Sequence, residues 1–366
     1  MACDYLALAA PGVQKLTPYV PGKPVEELER ELGITNIIKL ASNENPLGPS
    51  AKVLAALEQV KADITRYPDG NGFKLKQALA GHLNVALDTI TLGNGSNDVL
   101  EIIARAYLSP GDEAIYSQYA FAVYPISVQA VGATAVVTPA IEFGHDLEAM
   151  AAAITPKTKL IFIANPNNPT GTWFGKSAWE TFMAKVPEQV LVVLDEAYIE
   201  YVEDDVALNG LDYVARYPNL IVSRTFSKAY GLAGLRVGYA ISHPQVANIL
   251  NRVRQPFNVD SFALAAATAV LQDDDYLQRS RQVNREGMRL LVAGFQQLGL
   301  DFIPSAGNFI TVHFDREAGP LYQALLREGV IVRPVANYGM PKSLRISIGL
   351  PEENTRFLQA LKKVLG

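Results

Sequence analysis

Apolar residues in this 366-residue chain fall into short unbroken runs, separated by longer stretches in which they recur every three or four positions. A run of four to eight apolar residues closed by Gly, Pro or Asn reads as a strand buried on both faces, and the longer period as a helix covering it. Strands are predicted near 90–92, 113–117, 134–138, 159–164, 190–194, 220–223 and 236–241, with helical patterns between most of them. That alternation predicts an α/β fold on a mainly parallel, mixed seven-stranded sheet covered by helices. A helix is also predicted around 51–62, followed by a loop over 66–72. From about Asp274 the pattern changes. A long charged helix over 276–298 leads into short strands at 309–314, 330–333 and 344–348, with a helix at 320–328. The chain is therefore expected to divide into an N-terminal arm (1–42), a large domain (43–273) and a smaller α/β domain (274–366).

Composition narrows the function classes. Hydrophobic residues at 49% and charged residues at 19% describe an ordinary globular protein. A net charge of −5 argues against nucleic acid as a partner. The single cysteine, Cys3, excludes an internal disulfide and suits a reducing cytoplasm. The four histidines, at 82, 145, 243 and 313, are too scattered for a metal-ligand motif, so no metal is expected. Met1 to Ala10 holds small apolar residues but also Asp4 and no basic leader, which argues against an export signal. The apolar stretch 262–271 is half the length needed to span a bilayer, and no membrane association is expected.

Four segments carry candidate chemistry. In Ser223-Arg224-Thr225-Phe226-Ser227-Lys228, a lysine follows hydroxyls, and Arg236 lies eight positions on. Thr225, Ser227 and Arg236 offer what a phosphate needs, and neighbouring cations depress an amine toward nucleophilicity, so Lys228 suits a Schiff-base lysine. Taken alone, the same lysine also reads as a surface residue after a buried strand. Asn165-Pro166-Asn167-Asn168-Pro169-Thr170-Gly171 ends an apolar strand in turn residues, fixing an Asn amide where α/β sheets bind ligands. In Val190-Leu191-Val192-Val193-Leu194-Asp195, a buried strand ends in a carboxylate that needs a cation or a donor. Mg²⁺ in an ATPase and a protonated pyridinium nitrogen are the two common partners. The chain has no G-x-x-x-x-G-K-[ST] loop, which favours the pyridinium. Gly93-Asn94-Gly95-Ser96-Asn97 opens a helix whose first N–H groups make an anion site, although a plain helix start has the same look.

Asn168-Pro169-Thr170-Gly171, Asp195-x-x-Tyr198, Ser227-Lys228 and Arg236, in this order, resemble fold-type I pyridoxal-phosphate aminotransferases of the aspartate-aminotransferase superfamily. Within them the chain is similar to the histidinol-phosphate aminotransferases. The segments behind this are 16–24, 41–49, Arg66-Tyr67-Pro68, 95–101, 195–201, 331–333 and 344–349, and the likeness runs from about residue 14 to the C-terminus. The resemblance implies pyridoxal 5'-phosphate as cofactor, with Lys228, Asp195 and Tyr198 catalytic. It implies that Lys228 holds the cofactor, Asp195 faces its ring nitrogen, and Asn168 and Tyr198 bind its 3-oxygen. Ser96, Asn97, Thr225, Ser227 and Arg236 would cradle its phosphate. Tyr67 would reach that phosphate from a neighbouring subunit of a homodimer with shared sites. Phe121 would stack on the ring, where many members carry tyrosine. Tyr19, Arg333 and Arg345 would hold substrates, namely histidinol phosphate and glutamate or 2-oxoglutarate. The arm would pack with the smaller domain, and the site would lie between domains. An aromatic-amino-acid aminotransferase or a threonine-phosphate decarboxylase on the same scaffold is the rival expectation.

Overall fold

Successive residues of the apolar runs face opposite sides of one sheet, and both sides are packed. Ile161 and Ile163 join one cluster with Trp179 and Phe182, while Phe162 joins another with Val99 and Ile103. Val192 and Val193, like Val222 and Ile221, divide between the same two clusters. A strand buried in this way has no room for a polar position, which is why its sequence shows no alternation. The computed structural model describes residues 3–203 and 207–366; Met1 and Ala2, at the start of the segment weighed above as an export signal, lie outside the described residues.

Strand β1 is Ile38–Leu40. It is followed by β2 (Ile90–Gly93), β3 (Glu113–Ser117), β4 (Thr134–Thr138), β5 (Ala140–Ile141) and β6 (Gly144–His145). Next come β7 (Thr158–Ala164), β8 (Leu191–Asp195), β9 (Leu220–Thr225) and β10 (Gly238–Ser242). The last are β11 (Asp301–Ile303), β12 (Phe309–His313), β13 (Val330–Pro334) and β14 (Ser343–Ser347). The large sheet is seven-stranded, in the order β2-β10-β9-β8-β7-β3-β4. β10 runs antiparallel to both β2 and β9, and the other pairs are parallel, so the mixed, mainly parallel α/β sheet read from the sequence is present.

The small sheet has five strands, in the order β1-β13-β14-β12-β11. One face packs Ile310, Val312, Val332, Leu344 and Ile346 against Leu291, Phe295 and Phe357 of the helices Asp274–Gln297 and Pro351–Leu365. The period of two then turns Thr311, Arg333, Arg345 and Ser347 to the opposite face. That face meets the large sheet: Thr311 Oγ1 donates to the Pro169 carbonyl at 2.6 Å, and Phe309 packs edge-on against Tyr198. Three strand elements escaped the sequence reading, as did the helices Val25–Leu32 and Pro351–Leu365. β1 lies within the stretch read as an arm and pairs parallel with β13; β11 and the β5–β6 hairpin are two or three residues each. Segments this short carry too few side chains for a period to register. The strand expected over 236–241 begins instead at Gly238, because Arg236 takes a left-handed conformation (φ 52°) after a single turn of 3₁₀ helix.

Candidate active site

The carboxyl ends of β7, β8 and β9 open into a cavity of about 200 Å³, closed on its far side by β13, β14 and residues 19–43. The ligand crevice of a parallel sheet lies at this end of its strands. Every candidate residue but one lines it. Ser96, Asn97, Phe121, Asn168, Asp195 and Tyr198 come from the large-sheet side, with Thr225, Ser227, Lys228 and Arg236, while Tyr19, Arg333 and Arg345 come from the other. Tyr67 is the exception. It is 83% exposed, stacked on Phe257 at 4.8 Å, and does not reach its own chain's cavity.

Lys228 sits just past β9, where its Nζ donates to the Ser42 carbonyl at 3.2 Å. Burial depresses its pKa to about 7, with Arg345 and Arg236 adding to the fall and Glu44 and Asp195 opposing it. An amine in that range is a usable nucleophile and base near neutrality. Asp195, the last residue of β8, is pushed up to about 6 by burial. Its Oδ2 accepts from the Tyr124 hydroxyl at 2.9 Å, while the buried Oδ1 has no hydrogen-bond partner among the described residues. A buried carboxylate oxygen without a donor is costly unless a ligand supplies one.

The turn after β7 holds Asn168 rigidly. Gly171 N–H donates to the Asn167 carbonyl at 2.8 Å, and Asn167 Nδ2 donates to Thr170 Oγ1 at 2.9 Å and to the Tyr119 carbonyl at 3.0 Å. Arg345 Nη1 donates to Asn168 Oδ1 at 2.5 Å. Arginine can only donate, so the amide oxygen must face it, and the NH₂ group is what Asn168 has left for a ligand. The same logic orients Tyr198. Its hydroxyl accepts from Asn43 Nδ2 at 2.9 Å, which leaves its own proton to donate; burial lifts that phenol to about 12, so the proton stays on. Asn43 is in turn fixed by Ser347, whose Oγ donates to Asn43 Oδ1 at 3.0 Å and accepts from Asn43 N–H at 2.8 Å.

An anion cradle lies at one end of the cavity. The helix Ser96–Tyr107 starts after Gly95, which offers no side-chain cap and sits at φ 85°. A Cβ on Gly95 would stand 2.6 Å from Arg236 Nη2, and one on Gly238 would stand 2.5 Å from the Ser96 nitrogen. Glycine at both positions therefore lets the helix start, β10 and the guanidinium converge. Arg236 Nη1 donates to Ser227 Oγ at 3.4 Å, and Ser227 N–H to Thr225 Oγ1 at 3.1 Å. Behind the cradle, the buried pair Arg224–Glu196 (2.7 Å) braces the ends of β9 and β8, and the Gly210 N–H donates to Glu196 Oε1 at 2.6 Å.

Arg333 and Arg345 stand directly opposite each other across β13 and β14. Arg333 Nη2 donates to the Val20 carbonyl at 2.8 Å and stacks over the Tyr19 ring at 5.6 Å. Arg345 Nη2 donates to the Ala41 carbonyl at 2.8 Å, and its buried Nε has no hydrogen-bond partner among the described residues. Like charges across a ladder destabilise it unless an anion sits between them. The donors therefore fit a flat ring with one basic nitrogen, an adjacent oxygen and a phosphate, along with a second, anionic ligand. That donor set matches pyridoxal phosphate: Asp195 Oδ1 for the ring nitrogen, Asn168 and Tyr198 for the ring oxygen, and the cradle for the phosphate. Among the described residues no cluster of His, Cys, Asp or Glu could hold a metal, and no helix is long and apolar enough to cross a membrane.

Sequence reasoning passed over Asn43, Tyr124 and Tyr338 as site residues. Asn43 lies in the Ala41–Pro49 segment that carried the resemblance, and its left-handed φ of 54° and double tie to Ser347 are invisible in a sequence. Tyr338 lines the cavity from a single 3₁₀ turn, and a lone aromatic gives no signal.

Comparison with known proteins agrees with the geometry. Residues 35–361 match the family model for aminotransferase class I and II. Histidinol-phosphate aminotransferase 2 of Pseudomonas fluorescens (strain Pf0-1) is 65% identical, over 100% of this chain and 99% of its own length. Histidinol-phosphate aminotransferase 2 of Pseudomonas aeruginosa is 67% identical, over 99% of each chain. Among solved structures, histidinol-phosphate aminotransferase from Sinorhizobium meliloti, in complex with pyridoxal-5'-phosphate, superposes with a TM-score of 0.90 at 33% identity, over 97% of this chain and 96% of that one.

Proposed function

Because the chain belongs to the class I and II aminotransferases, we propose that it is a pyridoxal-phosphate enzyme of histidine biosynthesis. Its reaction is the interconversion of L-histidinol phosphate plus 2-oxoglutarate with imidazole-acetol phosphate plus L-glutamate. One observation carries the substrate reading: two opposed arginines face the same cavity as Lys228. A pair of forks can take the carboxylates of glutamate and then the phosphate of the other substrate, in alternate half-reactions. The identity to relatives named for this activity supports it further.

Bound pyridoxal phosphate supplies an aldehyde for an amine and a ring that withdraws electrons. The residues do the rest. Lys228, about half deprotonated at pH 7, takes the proton from the substrate Cα as a base held at the mouth of β9. Asp195 would accept a hydrogen bond on Oδ1 from a ring nitrogen and keep the proton there. Tyr198 donates its phenolic proton, and Asn168 its NH₂ group, to a ring oxygen. Ser96 and Asn97, with Thr225, Ser227 and Arg236, would anchor the phosphate, and Phe121 would stack on the ring. Tyr19 covers the arginines. The exposed Tyr67, stacked on Phe257, fits a role in a partner's cavity, so we take the enzyme to be a homodimer with shared sites. The single cysteine and the biosynthetic relatives support a cytoplasmic setting.

Measuring kcat/KM for histidinol phosphate and for phenylalanine tests the assignment. We expect a clear preference for the phosphorylated donor. A preference for phenylalanine would move the enzyme to aromatic amino-acid metabolism.

A further inference from the structure

Tyr124 is wholly buried, and among the described residues its hydroxyl has one partner, Asp195 Oδ2, at 2.9 Å. Among the described residues no other side chain hydrogen-bonds that oxygen; the Ala197 N–H also acts on the carboxylate, and the twin Oδ1 is the atom left for a ligand. Tyr124 is the second residue of the helix Val123–Ala130, three residues after Phe121, and its N–H donates to the Phe121 carbonyl at 3.0 Å. The turn sets the two rings edge to face at 6.0 Å, while Tyr124 stacks on Phe162 of β7 at 5.0 Å. One side chain thus fixes both the wall along the ring face and the anion at the ring nitrogen. A phenol that donates to one oxygen of a carboxylate stops its rotation and lowers its basicity.

We propose that Tyr124 is the positioning residue of Asp195, setting which oxygen meets the cofactor's pyridine nitrogen and holding the shared proton on that nitrogen. The inference rests on the pyridoxal-phosphate reading above. Besides each other, the groups that act on Asp195 and Tyr124 are the Ala197 N–H, Glu196, Lys228, Tyr198 and Tyr338. Burial holds the Tyr124 phenol well above its usual pKa, so it remains a donor throughout the working range. Without the hydroxyl, Asp195 becomes the stronger base, and the shared proton shifts from the nitrogen toward the carboxylate.

The test uses holoenzyme loaded with pyridoxal phosphate labelled with nitrogen-15 in the ring. Tyr124→Phe keeps the stacking and removes only the hydroxyl. At fixed pH its nitrogen-15 shift should move toward the unprotonated value, and kcat should fall roughly tenfold with KM within about twofold. Difluorotyrosine placed at 124 keeps shape and donates more strongly, so its shift should stay at or beyond the wild-type value. A Tyr124→Phe enzyme with the wild-type shift and kcat overturns the proposal. If that variant does not fold, a fluorinated enzyme whose shift moves toward the unprotonated value overturns it as well. Wild-type protein that takes up no borohydride-reducible cofactor overturns the cofactor reading and this proposal together, which separates the two failures.

Discussion

Lys228 and Asp195 are two desolvated charges in one cavity, and their costs run in opposite directions with pH. Lys228 is depressed to about 7, so the cost of burying its cation is complete below that pH and fades as pH rises toward the ordinary ~10.4. Asp195 is raised to about 6, so its contribution is favourable below the ordinary ~3.9 and is lost as pH rises through 6. The two costs coincide between about pH 6 and 7. Urea unfolding of the cofactor-free chain should therefore find the wild type less stable than the double variant Asp195→Asn/Lys228→Met by about 1–3 kcal/mol in that window. The deficit should shrink on both sides, and a pH-independent difference would refute the account. Arg333→Ala should weaken phosphorylated substrates more than phenylalanine by about 1.5–3 kcal/mol. Equal losses in kcat/KM would remove Arg333 as a phosphate reader. At this scale the sequence was legible where a strand end left a charge with nowhere to go, as at Asp195. It was silent on Asn43 and Tyr124, whose importance comes only from what they touch.

The start of the helix Ser96–Tyr107 is where element geometry matters most. Gly95 takes a backbone conformation closed to other residues, and a methyl there would meet the Arg236 guanidinium. Gly95→Ala should lower affinity for pyridoxal phosphate about tenfold or more and destabilise the chain by about 1–3 kcal/mol. Fluorescence titration and thermal melts read the two effects separately, and unchanged affinity would mean the helix start does not hold the phosphate. The strands of the large sheet were readable because continuous apolar runs leave no other choice for a buried segment. The strand β1 was not, because its three residues gain their ladder from β13, some three hundred positions away. The late start of β10 was hidden for a related reason: Arg236 is bent into a left-handed turn that aims it at the cradle.

In the molecule as a whole, the cavity is walled by the strand ends of one sheet and the polar face of another, with Tyr67 turned outward. If Tyr67 completes a partner's site, Tyr67→Ala should lose about tenfold in cofactor affinity. Mixing it with Lys228→Ala should then give more activity than the sum of the two, because one site of each hybrid holds both intact residues. Additive activity after subunit exchange would argue that each chain works alone. The paired guanidiniums of β13 and β14 carry a practical corollary. Held face to face, they recruit whatever oxyanion the solution offers, so the melting temperature should climb with added sulfate. Assays run in phosphate buffer would then report inflated KM values for donor and acceptor alike, whereas a tertiary-amine buffer with chloride as its counter-ion would not.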